Sequence, residues 1–559
     1  MITMKVDWFK SAIVYQIYPR SFLDSSGDGI GDLKGIISKV DYLKDLGINA
    51  LWLCPFYPSP NDDNGYDVSD YLGVHPDFGT LDDFYELSQA LKQVGIKLIV
   101  DMVLNHSSDE HAWFIESSKS TEGPYSDYYV WKDPNGFDES GKPIVPNNWI
   151  SIFGGSTWEW CESRQQYYLH LFTRKQPDLN WENPKVREEL FNVVDTWAKR
   201  GVDGFRLDVI NFISKKEGFP DLPHDLLHSP DKHYACGPRV HEFLQEFNRK
   251  VLTPNDSMTV GETPAIEADA AALYCDSNRN ELDMIFGFDH TSVDFGPEGI
   301  WDSVKFRYAE FFDILSRWQN NMERLNGWNS IFVENHDQPR FISRICEDPK
   351  YLKEAAGLVA TMLMTMKGTP YVYQGQEIGI SNVAFESIDE YRDVWTLNYY
   401  NESMQNNQDP SSALKQIHYR SRDNARTPMH WNSGPQAGFT EGTPWIKPNP
   451  IYTTVNVENA LKDQSSVFHT YKKLIAMKKA DDVLIHGLFE RIKSNTEQLF
   501  AYTRSMGSQR RLILLNFSSS EVAFDEISTN DYELIFSSQK RDTDTVLKPY
   551  EGRIYTISA

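Results

Sequence analysis

The sequence predicts an α/β fold: a (β/α)8 TIM barrel with a small inserted domain after its third strand and a C-terminal antiparallel β-sandwich domain. Between Ala12 and about Gly379, eight short apolar runs alternate with amphipathic stretches, and such alternation implies a parallel sheet that closes at eight units. The rhythm breaks over residues 107–176, a stretch too long for a simple strand-to-helix connection and rich in Trp, Tyr, Ser, Gly and Pro. Past Asp481 the pattern becomes apolar alternation with turn residues between, as in an antiparallel sandwich.

The predicted barrel strands are Ile13–Tyr18, Ala50–Pro55, Lys97–Val103, Gly204–Val209, Met258–Gly261, Leu282–Gly287, Ser330–Val333 and Tyr371–Tyr373. Helical patterns follow at Leu33–Leu46, Leu81–Val94, Lys185–Lys199, Arg239–Val251, Ser303–Met322 and Leu352–Met366, and Gly47, Gly95 and Gly201 stand where C-caps stand. Residues 381–443 read as a second, irregular insertion. The late strands are Leu499–Tyr502, Arg511–Leu515, Glu533–Phe536 and Ile554–Ile557. The division expected is therefore a barrel over 1–106 and 177–480, an inserted domain over 107–176 and a β domain over 481–559.

A formal net charge of −25 repels nucleic acid and anionic lipid and points to a neutral or cationic ligand. Aromatic residues at 13% supply flat apolar faces with polar handles, which suit sugars. No apolar run reaches the ~18 residues of a membrane span, and residues 1–8 show no signal peptide. Five cysteines, odd in number and without CxxC spacing, imply free thiols and a cytoplasmic protein. A monomer is expected.

Carboxylates recur at the strand ends. Asp101 and His106 follow the third strand, Arg206 and Asp208 end the fourth, Glu262 follows the fifth, and His336 with Asp337 follows the seventh. Closure of a barrel aims all of them at one mouth. Converging like charges cost energy unless function repays it. A pair of carboxyls facing one bond is what glycoside hydrolysis requires: one protonates the leaving oxygen and the other attacks or stabilises the anomeric carbon. Clustered carboxylates also suit a divalent metal, but the histidines lie far apart and no HExxH or CxxC spacing appears.

Asp101-Met-Val-Leu-Asn-His106, Gly204-Phe-Arg-Leu-Asp-Val209, Gly261-Glu-Thr263 and Val333-Glu-Asn-His-Asp-Gln-Pro339 resemble, in order and spacing, the signature regions of the α-amylase superfamily, glycoside hydrolase family 13. Asp62-Asp-Asn-Gly-Tyr-Asp67, Lys175-Gln-Pro-Asp-Leu-Asn180, Tyr373-Gln-Gly-Gln-Glu377 and Ser421-Arg-Asp-Asn-Ala-Arg-Thr-Pro428 look like its oligo-1,6-glucosidase and α-glucosidase branch. The resemblance runs from about Trp8 onward. It implies a retaining α-glucosidase acting on neutral α-glucoside oligosaccharides, with Asp208 as nucleophile, Glu262 as acid/base and Asp337 as the stabiliser that holds the sugar hydroxyls. Arg206, two residues away, would keep the nucleophile ionised. By the same match His106 and His336 would hydrogen-bond the terminal glucose and Tyr66 would stack on it. Asp63 and Arg422 would wall off the pocket, completed by Phe153, Phe172 and Gln176.

Val209 after the nucleophile resembles the α-1,6-acting members of the branch, where threonine or alanine accompanies α-1,4 preference, and Glu334 points the same way. One such side chain changes a pocket by about 1–3 kcal/mol. The first loop spaces Asp24, Ser26, Asp28 and Asp32 among glycines, as a hard cation, Ca2+ or Mg2+, would ask. It resembles the structural calcium loop of the branch, in which Ile30 would also contribute and Asn is usual at Ser26. The competing functions are an α-1,4-acting α-glucosidase, a sucrose isomerase or trehalose-forming transglycosylase, a phosphosugar hydrolase and a non-catalytic sugar-binding relative. Sucrose isomerases carry an Arg-Leu-Asp-Arg-Asp segment where this chain has Asn321-Met-Glu-Arg-Leu-Asn326. The carboxylates are all present and nothing marks a phosphate cradle.

Overall fold

Alternation along the strands accounts for both the barrel and the placement of its charges. The computed structural model, which describes residues 7–227, 229–540, 542–543 and 545–557, forms one eight-stranded sheet. Its strands are β1 (Val14–Ile17), β2 (Ala50–Leu53), β3 (Lys97–Val103), β4 (Gly204–Asp208), β5 (Met258–Glu262), β6 (Met284–Phe286), β7 (Ser330–Ile331) and β8 (Thr369–Tyr373). Residues 1–6, within the stretch read as lacking a signal peptide, lie outside the described residues. Neighbours pair in parallel in the order β7-β8-β1-β2-β3-β4-β5-β6. The ring closes where Ile285 bridges Asn329 in parallel and Ser330 Oγ donates to the Ile285 carbonyl at 2.5 Å.

Val14, Ala50, Trp52, Ile99, Met258, Val260, Met284, Phe286, Tyr371 and Tyr373 fill the barrel interior. The residues between them, among them Leu51, Leu53, Leu98, Val100, Phe205 and Leu207, pack outward against the helices. By the same alternation Arg206 and Asp208 share the interior face with Asp101, which stands opposite Arg206 in register. The charges in β4 therefore do not interrupt a strand that is apolar on both faces. They cap its inner face at the C-terminal end, where a barrel places chemistry.

Several expected helices differ in extent. Leu33–Leu46 divides into Leu33–Ile37 and Val40–Leu46, and the pattern at Arg239–Val251 is α-helical only over Val240–Phe247 before one π turn at Asn248–Leu252. The helix expected from Ser303 begins at Tyr308, because Gly299–Ser303 pairs with Phe295–Gly296 in an antiparallel hairpin. The stretch 381–443, expected to be irregular, holds two longer helices, Val394–Gln405 and Pro410–Arg420, each started by an aspartate cap, Asp393 and Asp409.

Within 107–176, Trp131–Lys132, Gln166–Leu169 and Trp158–Cys161 form a small antiparallel sheet. Trp149, Trp158, Tyr167, Leu169 and Leu171 share a core with Val209, Phe212, Leu222 and Tyr234, so this lid is packed onto the segment that follows Asp208. At the C-terminal end Leu488–Ile492, Leu499–Met506, Gln509–Asn516, Gly552–Ile557 and Tyr532–Ser537 make a five-stranded antiparallel sheet, with a short second sheet from Val522–Ala523 and Val546–Leu547. Tyr502 and Arg504 fasten it to the helix Leu352–Thr365 through Thr365, at 2.5 and 2.6 Å.

Candidate active site

β4 ends abruptly, and that ending builds the site. Val209 follows Asp208 with φ 35° and ψ 44°, a left-handed conformation that a β-branched residue adopts only under constraint. The turn points the Val209 N–H at Glu262 Oε2, 3.2 Å away on the end of β5. Arg206 is buried beneath both acids and spans them, with Nη1 2.7 Å from Asp208 and Nη2 2.5 Å from Glu262. Nη1 also reaches Asp101 at 2.7 Å.

Three carboxylates thus surround one guanidinium. Burial, together with the charges of Glu262 and Asp101, pushes the Asp208 carboxyl well above its ordinary range despite Arg206. Asp208 is thus a member of the cluster whose charge the surroundings oppose, with Arg206 the one group that offsets them. Asp208 and Glu262 also lie within hydrogen-bond reach of each other, closer than the span of about 6.5–9.5 Å that an inverting site leaves for water, which fits the retaining arrangement.

On the opposite wall Asp337 accepts from Arg426 at 2.5 Å and Arg422 at 3.3 Å and contacts His336 Nε2 at 3.1 Å. Burial opposes its charge, but His336, Arg422 and Arg426 hold Asp337 well below the usual carboxylate range. Burial likewise opposes the His336 cation, yet Asp337 raises this imidazole to about 10. His336 is therefore a cation, which donates to the Tyr66 hydroxyl at 2.6 Å while that hydroxyl donates to Asp101 at 3.0 Å. Tyr66 also stacks on His336, with centroids 5.3 Å apart and planes 11° from parallel.

His106 is the opposite case: burial and the nearby Lys215 charge lower it to about 3, leaving a neutral imidazole beside Gln176 and the Tyr66 carbonyl. Asp63 accepts from Arg422 at 3.0 Å and from Gln176 at 3.2 Å, and this pair closes one end of the cavity. Burial lifts the Asp63 carboxyl in spite of Arg422. Phe153 lies under the Arg422 guanidinium at 4.8 Å and meets Phe172 at 5.6 Å, and Phe172 reaches His106 at 5.1 Å. Asp208, Glu262, Asp337, Asp63, Tyr66, His106, Phe153, Phe172, Gln176, Val209 and Arg422 all line one cavity of 720 Å3. Arg206 and His336 stand behind that lining, in contact with its acids. Glu334 is not part of it: its carboxylate pairs with Arg340 at 3.1 Å and accepts from the Phe341 amide at 2.6 Å.

Two site residues escaped the sequence reading. Arg426 lies four residues after Arg422, on the short helix Asp423–Arg426, and this spacing is the signal that places both guanidinium groups on one side. Asp393 binds Arg422 at 2.6 Å while capping the helix Val394–Gln405 through the Thr396 amide. An aspartate before a Val-Trp pair marks the cap, but the arginine it holds lies far away in sequence.

In the first loop, Asp24 accepts from the amides of Ser26, Gly27 and Gly29 at 2.8 Å each and from Thr440 at 2.5 Å. Asp32 accepts from Ser25 and caps the helix Leu33–Ile37 through Gly35, and Asp28 accepts from the Ile30 amide. The donors are all oxygen, which suits a hard cation. Among the described residues, no three acidic, histidine or cysteine groups gather as a metal cage.

Comparison with known proteins agrees with this geometry. Residues 16–487 match the family described as "Alpha amylase, catalytic domain". The chain is 49% identical to an oligo-1,6-glucosidase of Parageobacillus thermoglucosidasius, over 98% of this chain and 99% of that one. Among solved structures it is similar to the trehalose-6-phosphate hydrolase of Bacillus licheniformis, at 42% identity and TM-score 0.92, covering 99% of this chain and 100% of that chain. It is also similar to the trehalulose synthase of Pseudomonas mesoacidophila MX-45, at 38% identity and TM-score 0.94, covering 99% of each. With a barrel whose strand ends gather Asp208, Glu262 and Asp337, and a family match over most of its length, the chain belongs to the α-amylase family, glycoside hydrolase family 13, in its oligo-1,6-glucosidase branch.

Proposed function

We propose that the protein is a retaining, exo-acting α-glucosidase that removes terminal non-reducing α-1,6-linked glucose from isomaltose and isomalto-oligosaccharides. The observation that carries this reading is Arg206 gripping Asp208 and Glu262 at once, opposite an Asp63–Arg422 pair that leaves room for one terminal sugar. Asp208 attacks the anomeric carbon while Glu262, as the acid, gives a proton to the departing oxygen. The bond to the leaving sugar breaks as a glucosyl ester to Asp208 forms. Glu262 then takes a proton from water, whose oxygen displaces Asp208 and releases α-glucose. Asp337, fixed as an anion, faces the positive charge that develops on the ring.

A phosphorylated substrate is disfavoured by the cavity. Asp231, Asp289, Glu298 and Glu402 add negative charge around its outer part, and the rim cations are Lys232 and Arg307, the second paired with Glu310. The test is turnover of isomaltose, maltose, sucrose, trehalose and trehalose 6-phosphate, with the anomer followed by NMR. Glucose released first as the α-anomer, with kcat/KM on isomaltose at least tenfold above maltose, is expected. Preferential turnover of the phosphosugar, or a new disaccharide formed from sucrose, would overturn the reading.

We also propose that 107–176 and 481–559 act as separate domains around the barrel, and that Asp24, Ser26, Asp28, the Ile30 carbonyl and Asp32 hold a structural Ca2+ or Mg2+. Such an ion would brace the loop beneath Thr440 and take no part in bond cleavage. Chelation then lowers Tm by several degrees, and added Ca2+ restores it; a Tm indifferent to EDTA removes the ion. A cytoplasmic monomer is the remaining proposal. Its cytoplasmic part is supported by the five free cysteines, which suit a reducing compartment.

A further inference from the structure

The cavity extends well beyond the pocket for one glucose, and its far side is aromatic. Phe153 touches Trp395 at 5.7 Å, Trp395 meets Trp301 edge-on at 5.9 Å, and Trp301 lies face to face with Tyr399 at 4.3 Å and 7°. These rings lead outward from the Arg422 wall, and Phe153, Trp395, Trp301 and Tyr399 all line the same cavity as Asp208. Its 720 Å3 falls in the upper part of the range of about 300–1,000 Å3 that buries ligands larger than a monosaccharide.

The rings are held in place. Trp395 and Tyr399 are four residues apart on the helix Val394–Gln405, so they share a face. Asp393 caps that helix and binds Arg422, which ties the aromatic face to the residue that grips the terminal sugar. Asn398 of the same helix donates to the Phe153 carbonyl at 3.1 Å. Trp301 rides on the hairpin Phe295–Ser303, which Arg420 anchors through Ser303 Oγ at 3.1 Å and the Asp294 carbonyl at 2.6 Å.

Three other partly buried tryptophans give their indole N–H to the protein, Trp131 to Ser117, Trp160 to Glu162 and Trp445 to Ser21, while Trp8 and Trp113 do not. Among the described residues the indole N–H groups of Trp301 and Trp395 have no such partner. A flat apolar face with a free donor at its edge is what a pyranose asks for, with C–H groups on its face and hydroxyls around its rim.

Building on the α-glucosidase reading, we propose that Trp395 flanks the first sugar beyond the scissile bond and that the Trp301–Tyr399 stack is the platform for the second. The protein then favours α-glucosides of three or more units over disaccharides. The test is kcat/KM on disaccharide and trisaccharide in both the isomalto and the malto series, so that a wrong linkage assignment and a wrong platform assignment give different results. Trp301→Ala is expected to lower the trisaccharide-to-disaccharide ratio about fivefold or more in whichever series is turned over, chiefly through KM, and Trp301→Phe to restore most of it. An unchanged ratio overturns the platform, whichever series is turned over. Should Trp301→Ala not fold, tryptophan fluorescence of Asp208→Asn titrated with isomaltotriose and maltotriose supplies the second measurement. Quenching that exceeds the corresponding disaccharide's and falls in the Asp208→Asn, Trp301→Phe protein supports the platform; equal quenching by both lengths overturns it.

Discussion

Asp208 and Val209 stand side by side at the end of β4, and the proposed function gives them different parts, bond cleavage to the first and linkage preference to the second. Asp208→Asn keeps the shape and removes a charge crowded against Glu262 and Asp101, so we expect kcat to fall at least about a thousandfold, roughly 4 kcal/mol of barrier, while Tm holds or rises. A variant retaining a tenth of wild-type kcat would displace Asp208 as nucleophile. Val209 lines the cavity from a strained turn. Val209→Thr is expected to raise maltose over isomaltose hydrolysis severalfold, within the ~1–3 kcal/mol that one side chain contributes to a pocket; competition between the two substrates in one tube reads the ratio. That the strand-end acids gather at one cavity was legible because each follows a barrel strand. The contacts were not: no periodicity shows that Arg206 joins three carboxylates, or that Glu334 turns away to Arg340, since both depend on register across the sheet.

Among the elements, the helix Val394–Gln405 couples the two ends of the cavity. Asp393→Ala removes its cap and leaves Arg422 short of a buried partner, so Tm is expected to drop by several degrees and kcat/KM by at least tenfold. Asp393→Asn, which can still cap, should recover much of the Tm and little of the kcat/KM; equal recovery of both would separate the helix from the site. This helix was hidden in the sequence because its apolar residues are divided between the cavity, lined by Trp395 and Tyr399, and a small core that takes Leu397 and Tyr400, which blurs the apolar period. The hairpin at Phe295–Ser303 was hidden because its strands are short, although Gly296-Pro-Glu-Gly299 signals the turn. The barrel strands, by contrast, were legible to within a few residues, because each is buried on its outer face and alternates inward.

For the whole molecule, acid sensitivity follows from its buried histidines. Burial lowers His106 to about 3 and His111, His290 and His430 to about 4. Each is below the unfolded value near 6.5, so at these four sites the unfolded chain binds more protons, and their contribution to stability is lost as pH drops from about 6.5 toward 4. Asp67 and Asp423, which burial lifts to about 6, act in the opposite sense. Between pH 7 and pH 4 the urea midpoint of a His290→Gln protein should lose ground to a smaller extent than that of the parent; the same change in both proteins would contradict the assignment. The lid adds a different dependence. Because Trp149, Trp158 and Leu169 sit in one packed cluster with Val209 and Phe212, the flap over the cavity has no hinge line of its own separating it from the reacting centre. Heat that loosens this roof therefore disturbs the backbone beside Asp208 at the same moment, so roof and site stand or fall together.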